Sequence, residues 1–140
     1  MKDAARIEEL VARAKTIAVV GAKDKPGHPV DSVGRYLIKA GFTVIPVHPK
    51  RQSVWGLTAY PSLTALPGPV DIVDLFRASA YCPEHAREVL QLRAWPLLFW
   101  MQEGIANAEV RTILADTPVI IVEDQCLLKF HKQIAGGGHG

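Results

Sequence analysis

Several common signatures are missing from this 140-residue chain. No apolar run approaches the ~20 residues that a helical membrane span needs. The only cysteines are Cys82 and Cys126, far apart and outside any CxxC pattern, so neither a disulfide framework nor a zinc knuckle is indicated. Charge of one sign is scarce: 16 Lys and Arg stand against 14 Asp and Glu, a net +2 with no basic block. That excludes a nucleic-acid partner that would be tracked along its phosphates. The patterns GxSxG, HExxH and Walker A do not occur, and the histidines and acids form no metal-ligand spacing. Asp71 and Asp74 lie three apart on one strand-like run, so they face opposite sides and make no acid/base couple. No catalytic residue and no metal ligand is assigned. The start, MKDAARIEEL, is charged and lacks the apolar core of a signal peptide, which gives the expectation of a cytoplasmic protein.

What is present is a globular composition, 49% apolar and 21% charged, sufficient for one hydrophobic core. One domain over 1–135 is expected, followed by a flexible glycine-rich tail, 136–140. Strand-like and helix-like patterns alternate along it. Ile7, Leu10, Val11 and Ala14 share one helix face. Thr16–Gly21 is apolar on both faces, as a buried parallel strand is. A helix capped by Asp31 or Ser32 follows, with Val33, Tyr36, Leu37 and Ala40 inward and Gly41 as its stop. Phe42–Val47 is a second strand, in which Pro46 supplies no donor and marks an end or bend. Tyr60–Leu66 is a connector with a helical turn, and Val70–Phe76 a third strand. Pro83 opens a helix with Ala86, Val89 and Leu90 inward. Pro96–Met101, a helix over Ala106–Ala115 with Val110, Ile113 and Leu114 inward, and Pro118–Val122 complete the order. The alternation predicts a Rossmann-like, doubly wound α/β sheet of about five parallel strands with helices on both faces, a three-layer αβα sandwich.

In such sheets ligands lie beyond the carboxyl ends of the strands. After the first strand, GAKDKP keeps only one glycine of a dinucleotide fingerprint. Gly21 can make the tight turn, while Lys23, Lys25 and the next helix start can face phosphate. After the second strand, a nicotinamide enzyme presents an acid to the ribose. Here the chain reads Val47-His48-Pro49-Lys50-Arg51. Two cations in place of an acid favour a ribose bearing an extra phosphate, as in coenzyme A or NADP, and the flanking prolines stiffen the loop. After the third strand, Phe76 is either core or a wall for the ligand, and Arg77 faces the crevice. After the fourth, Gly104 permits close approach and Gln102 can donate and accept. At least one of Trp100 and Met101 is expected to line the pocket. His85 is expected on an exposed helix face. Cys126 and His131 are too few for a metal site, and nothing places them in contact.

The stretches AKTIAVVGA, RYLIKAGFTVIPVHPK, PVDIVDLFR, WMQEGI and VEDQCLLKFHK resemble, in this order, the small stand-alone CoA-binding domain proteins, which are similar to the nucleotide-binding half of the succinyl-CoA synthetase alpha subunit. The resemblance covers about Ala14 to Lys132. It implies binding of coenzyme A or a CoA thioester, with NADP as the alternative. By position it puts Gly21 and Ala22 under the pyrophosphate, and Val47, His48, Pro49 and Lys50 at the adenosine end. Phe76 and Arg77 would border the phosphopantetheine, and Met101, Gln102 and Gly104 would close the far side. The chain departs from the family at His28 and Val30, where an arginine and a small hydroxyl residue are usual. It departs again at His48, usually asparagine, and at Gln125, usually arginine. The relatives that ligate CoA carry a phosphorylatable histidine in a further domain, for which this chain has no room. A binder without a reaction of its own is therefore expected. An NADP-linked or acyl-CoA-handling enzyme and a ligand-free interaction module are the alternatives. A homodimer or a protein partner stays open.

Overall fold

A computed structural model describes residues 3–137. Helix α1 (Ala4–Arg13) leads into β1 (Thr16–Val20), then α2 (Pro29–Lys39) and β2 (Thr43–Val47). A small hairpin follows, β3 (Ser53–Val54) and β4 (Leu57–Thr58), then a 3₁₀ turn, Leu63–Ala65. The remainder is β5 (Ile72–Leu75), α3 (Cys82–Leu90), β6 (Leu98–Met101), α4 (Ala108–Ile113), β7 (Ile120–Val122) and α5 (Leu127–Lys132). Five strands form one parallel sheet in the order β2-β1-β5-β6-β7. The chain steps outward from β1 to β2, then crosses back over β1 to β5. The switch point therefore lies between the carboxyl ends of β1 and β5.

Alternate residues of each strand feed two separate cores. Ile17 and Val19, Ile72, and Leu98 and Trp100 pack under α1, α2 and α5. Ala18 and Val20, Val73 and Leu75, and Phe99 and Met101 pack under α3, α4 and the 3₁₀ turn. Both faces are covered, so the doubly wound, three-layer expectation holds.

Local chemistry explains where the elements differ from the sequence reading. Helix α2 begins at Pro29 because proline loses nothing at a first helical position, and extended His28 is its cap residue. Asp31 and Ser32 are not caps. The buried Asp31 carboxylate instead accepts from the Trp55 indole at 2.9 Å and from Arg35 at 2.9 Å. Ala40 follows the helix end and is exposed, and Leu90, on the last turn of α3, is 42% exposed. Pro46 sits inside edge strand β2, opposite Val19. Its carbonyl accepts from Tyr60 N–H on the outer side at 3.0 Å, so the missing N–H points away from the ladder. The hairpin and α5 were not anticipated. Trp55 and Gly56 both take positive φ (54° and 73°), as a two-residue hairpin turn requires. The expected glycine tail begins inside a π-helical turn, Gln133–Gly137, and 138–140 lie outside the described residues.

Asp74, at the centre of the sheet, is fully buried, and neither of its carboxylate oxygens has a hydrogen-bond partner. It pairs in register with Val19 and Trp100 on the α1/α2/α5 side. Burial pushes its pKa well above the ordinary 3.8. The unfolded chain therefore releases this proton at a lower pH than the fold does. Stability should fall as pH rises from about 4 toward the folded value, by up to about 1.4 kcal/mol per pH unit. Urea unfolding across pH is expected to show this slope in the wild type and to lose it in Asp74→Asn.

Candidate functional site

Three strand ends meet at Gly21. Its N–H donates to the Val47 carbonyl of β2 at 2.9 Å. Its φ is +83°, and a Cβ built there would stand 2.5 Å from the Phe76 carbonyl oxygen at the end of β5. Only glycine lets the three chains close this tightly. Ala22 is fully buried, and its N–H also points at the Val47 carbonyl, at 3.3 Å. Neither residue therefore offers a free donor. Their contribution is a bare, close-packed floor.

On this floor opens a cavity of about 370 Å³. Lys23, His28 and Pro29 form one side, with Val30 and Val33 of α2. Phe76, Arg77 and Ala78 follow β5, and Gln102, Glu103, Ile105 and Cys126 close the far end. A smaller hollow of about 140 Å³ lies on the other side of Arg77, between Val47, Pro49, Pro61 and Ser62 and the α3 residues Glu84, His85 and Glu88. Gly21 and Arg77 belong to both. A larger hollow, about 520 Å³, lies at the opposite end of the sheet between residues 64–70 and 91–94. Arg93 is its one charged group, so the chemistry favours the cavity at Gly21.

Arg77 is held from two directions. Its guanidinium stacks over Tyr81 at 4.4 Å. Its Nε donates to His85 Nε2 at 3.4 Å, and His85 Nδ1 meets Glu88 Oε1 at 2.6 Å. With Nε2 accepting from Arg77, the His85 proton is on Nδ1 and donates to Glu88. His85 is thus a half-buried relay rather than the exposed helix residue expected.

His48 marks the cationic side. Its Nδ1 accepts from Lys50 N–H at 3.0 Å, and its backbone N–H donates to the Tyr60 carbonyl. Burial lowers its pKa, and the charges of Arg51, Lys23, Arg77 and Lys50 lower it further. Four cations therefore act on one imidazole. Arg51 is not free among them. It pairs with Asp24 at 2.7 Å, and Asp24 also accepts from Trp55 N–H. That backbone bond leads, ahead of Arg51, in holding the Asp24 pKa down. Among the described residues, Lys23 and Lys50 have no carboxylate partner.

Of the residues singled out in the sequence, Gly21, Lys23, His28, Phe76, Arg77 and Gln102 line the larger cavity, and Val47 and Pro49 the smaller. His48 and Lys50 stand beside them on the β2 loop. Lys25 is exposed and lines neither cavity, and Gly104 is likewise outside, with its N–H donating to Asp124 at 2.6 Å. Met101 is a correction: it is fully buried in the α3/α4 core, and Trp100 is fully buried in the other, its indole N–H spent on the Gln125 carbonyl. Outward-pointing positions at the end of β6 are covered by helices on both faces, so neither side chain lines the cavity. His131 serves packing. Tyr36 meets its Nδ1 at 2.6 Å, and the Tyr36 and Phe42 rings edge against it. No hydrogen bond joins it to Cys126 among the described residues.

Missed from the sequence were Pro29 and Val33 of the wall, the His85–Glu88 relay and the Trp55 clamp. The indole of Trp55 fills the space that a Cβ at Gly34 would take.

A family model described as a CoA binding domain matches residues 15–132. The protein YneT of Bacillus subtilis is 36% identical over 127 residues, covering 91% of this chain and 93% of its own length. A solved structure from Thermus thermophilus is 39% identical with a TM-score of 0.86, over 94% of this chain and 98% of that one. A structure from Pyrococcus horikoshii OT3 is 31% identical with a TM-score of 0.89, over 95% and 92%.

Two glycines separate space from conformation. Gly21→Ala meets both a positive φ and the Phe76 carbonyl, so it should cost about 2–4 kcal/mol in urea unfolding. Gly27→Ala, at φ +92° with open space around it, should cost only about 1–2 kcal/mol.

Proposed function

The chain belongs to the CoA-binding domain family, and from that premise we propose that it binds coenzyme A or a CoA thioester along the carboxyl edge of its sheet, as a binding module without a reaction of its own. The observation that carries this reading is the cation cluster around His48. Where a plain ribose would be met by an acid, the loop after β2 holds His48 within the field of Arg51, Lys23, Arg77 and Lys50. Such a site suits an adenosine that bears a third phosphate. The pyrophosphate would lie over Gly21, facing Lys23 and the start of α2, whose N-terminal end adds positive potential. The phosphopantetheine would follow the apolar wall of Val30, Val33, Phe76 and Ile105. His28 stands in that wall where the family usually has arginine, and Val30 adds apolar surface where a hydroxyl is usual. No comparison supports NADP.

Thermal-shift titration with CoA, acetyl-CoA, NADP, NAD and ATP tests the reading. A ligand at 100 times its Kd adds about 2.7 kcal/mol of stability. CoA should stabilise and NAD should not. Stabilisation by NADP in place of CoA, or by none of the five, would overturn it. Lys50→Glu is expected to weaken CoA binding by about tenfold or more, about 1.4 kcal/mol.

His48 supplies a second readout. In the free protein its pKa lies below the ordinary histidine value, by burial first and then by its cationic neighbours. A bound phosphate reverses the sign of that field and favours the protonated ring. NMR titration should show the His48 pKa rising on addition of CoA, and no rise would remove the phosphate from its side.

A further inference from the structure

The two cysteines occupy opposite environments. Cys82 is fully buried at the start of α3, and burial pushes its thiol up to about 11. It is chemically inert there. Cys126 is only partly buried and forms part of the cavity wall. Beside it is Gln102, only 4% exposed and also in the wall. The Gln102 Oε1 accepts from Leu127 N–H at 3.1 Å, which fixes the amide orientation. A backbone donor demands the oxygen, so the NH2 is turned the other way, and it has no partner among the described residues. Facing the hollow, that NH2 can donate to an acceptor there. Lys129, one helical turn beyond Cys126 and paired with Glu103 at 3.1 Å, lies within Coulomb range of the thiol.

The spacing fits one ligand part. Gln125 N–H donates to the Met101 carbonyl at 3.3 Å and Leu127 N–H to Gln102, which holds Cys126 over the end of β6, two strand intervals from β1, on the order of 10 Å. A pantetheine arm has the backbone length of about four peptide units, ~14 Å when extended, so a bent arm spans that distance. An arm that starts at the pyrophosphate over Gly21 would therefore end beside Cys126. Its last amide, whose nitrogen is two carbons from the sulfur, would turn its carbonyl to the free NH2 of Gln102.

We propose, resting on the CoA reading above, that Cys126 captures the bound thiol arm as a mixed disulfide by exchange with a low-molecular-mass CoA disulfide. The Cys126 thiol loses its proton, and the thiolate attacks the CoA-side sulfur. One S–S bond breaks as the Cys126–S–S–CoA bond forms. The departing thiolate takes up a proton, so the incoming disulfide is the only oxidant used. This exchange needs neither an oxyanion site nor a general base in contact with Cys126.

Intact-mass spectrometry without reductant tests it, using CoA disulfide as the probe and oxidised glutathione as the comparison. One CoA adduct should form on the wild type and on Cys82→Ser, at least about tenfold faster than a glutathione adduct, and dithiothreitol should remove it. Cys126→Ser should form none. Thermal shift with reduced CoA, kept under reductant, is run in parallel on the wild type and Cys126→Ser, and reports both folding and binding. If reduced CoA stabilises both proteins but no adduct forms on Cys126, this inference fails and the CoA reading stands. Equal rates with glutathione, or an adduct on Cys82, would overturn it as well. If reduced CoA stabilises neither, both fall together.

Discussion

The architecture of the site depends on the absence of a side chain at one position. Gly21 closes β1 against the carbonyl of Val47 on one flank and that of Phe76 on the other. Because of that closure, the loops after β1, β2 and β5 converge rather than splay. The convergence is what brings Lys23, Lys50 and Arg77 to bear on a single imidazole. Cations held this close repel one another, and the fold tolerates them by pairing Arg51 with Asp24 and by spreading Arg77 over Tyr81 and His85. What is left uncompensated is a positive field at the mouth of a largely apolar cavity. An amphiphilic ligand with a multiply charged head and a long neutral arm matches that distribution.

The sheet was readable because it is buried on both faces. Runs such as Ile17–Val20 and Leu98–Met101 have no polar alternation to confuse the period, and their flanking glycines and prolines punctuate them. The site was readable in part for the same reason: in a parallel sheet, the residues after each strand share one edge whatever their identity. Elements whose stability is tertiary were not readable. The β3–β4 hairpin has two residues per strand, too few for any pattern, and exists because the partly buried Trp55 packs against Gly34 and is bonded to two carboxylates. The six-residue α5 is likewise short, and it is carried by Leu127 and Phe130 packing beneath Trp100.

The misplaced side chains follow one physical rule. Met101 and Trp100 stand at a strand end, where sequence suggests a ligand wall, yet helices reach far enough over both faces to seal them. Beside the loop residues, the cavity wall takes in α2, through Val30 and Val33, and Cys126 beyond β7. Neither sits directly after the strand that the loop argument examined. Helix α2 reached this role because Pro29 starts it at least three residues sooner than a cap at Asp31 or Ser32 would, and the imidazole of His28 makes no capping hydrogen bond.

The Trp55 clamp has a consequence for timing. The indole N–H and the peptide N–H of one residue bind Asp31 in α2 and Asp24 in the β1 loop, and the ring is wedged where α2 lacks a side chain. Loop, helix and hairpin are thereby one body before any ligand arrives. The order that a loose glycine loop acquires only at encounter is already present here, so association can proceed by collision and seating, without a slower step of loop rearrangement.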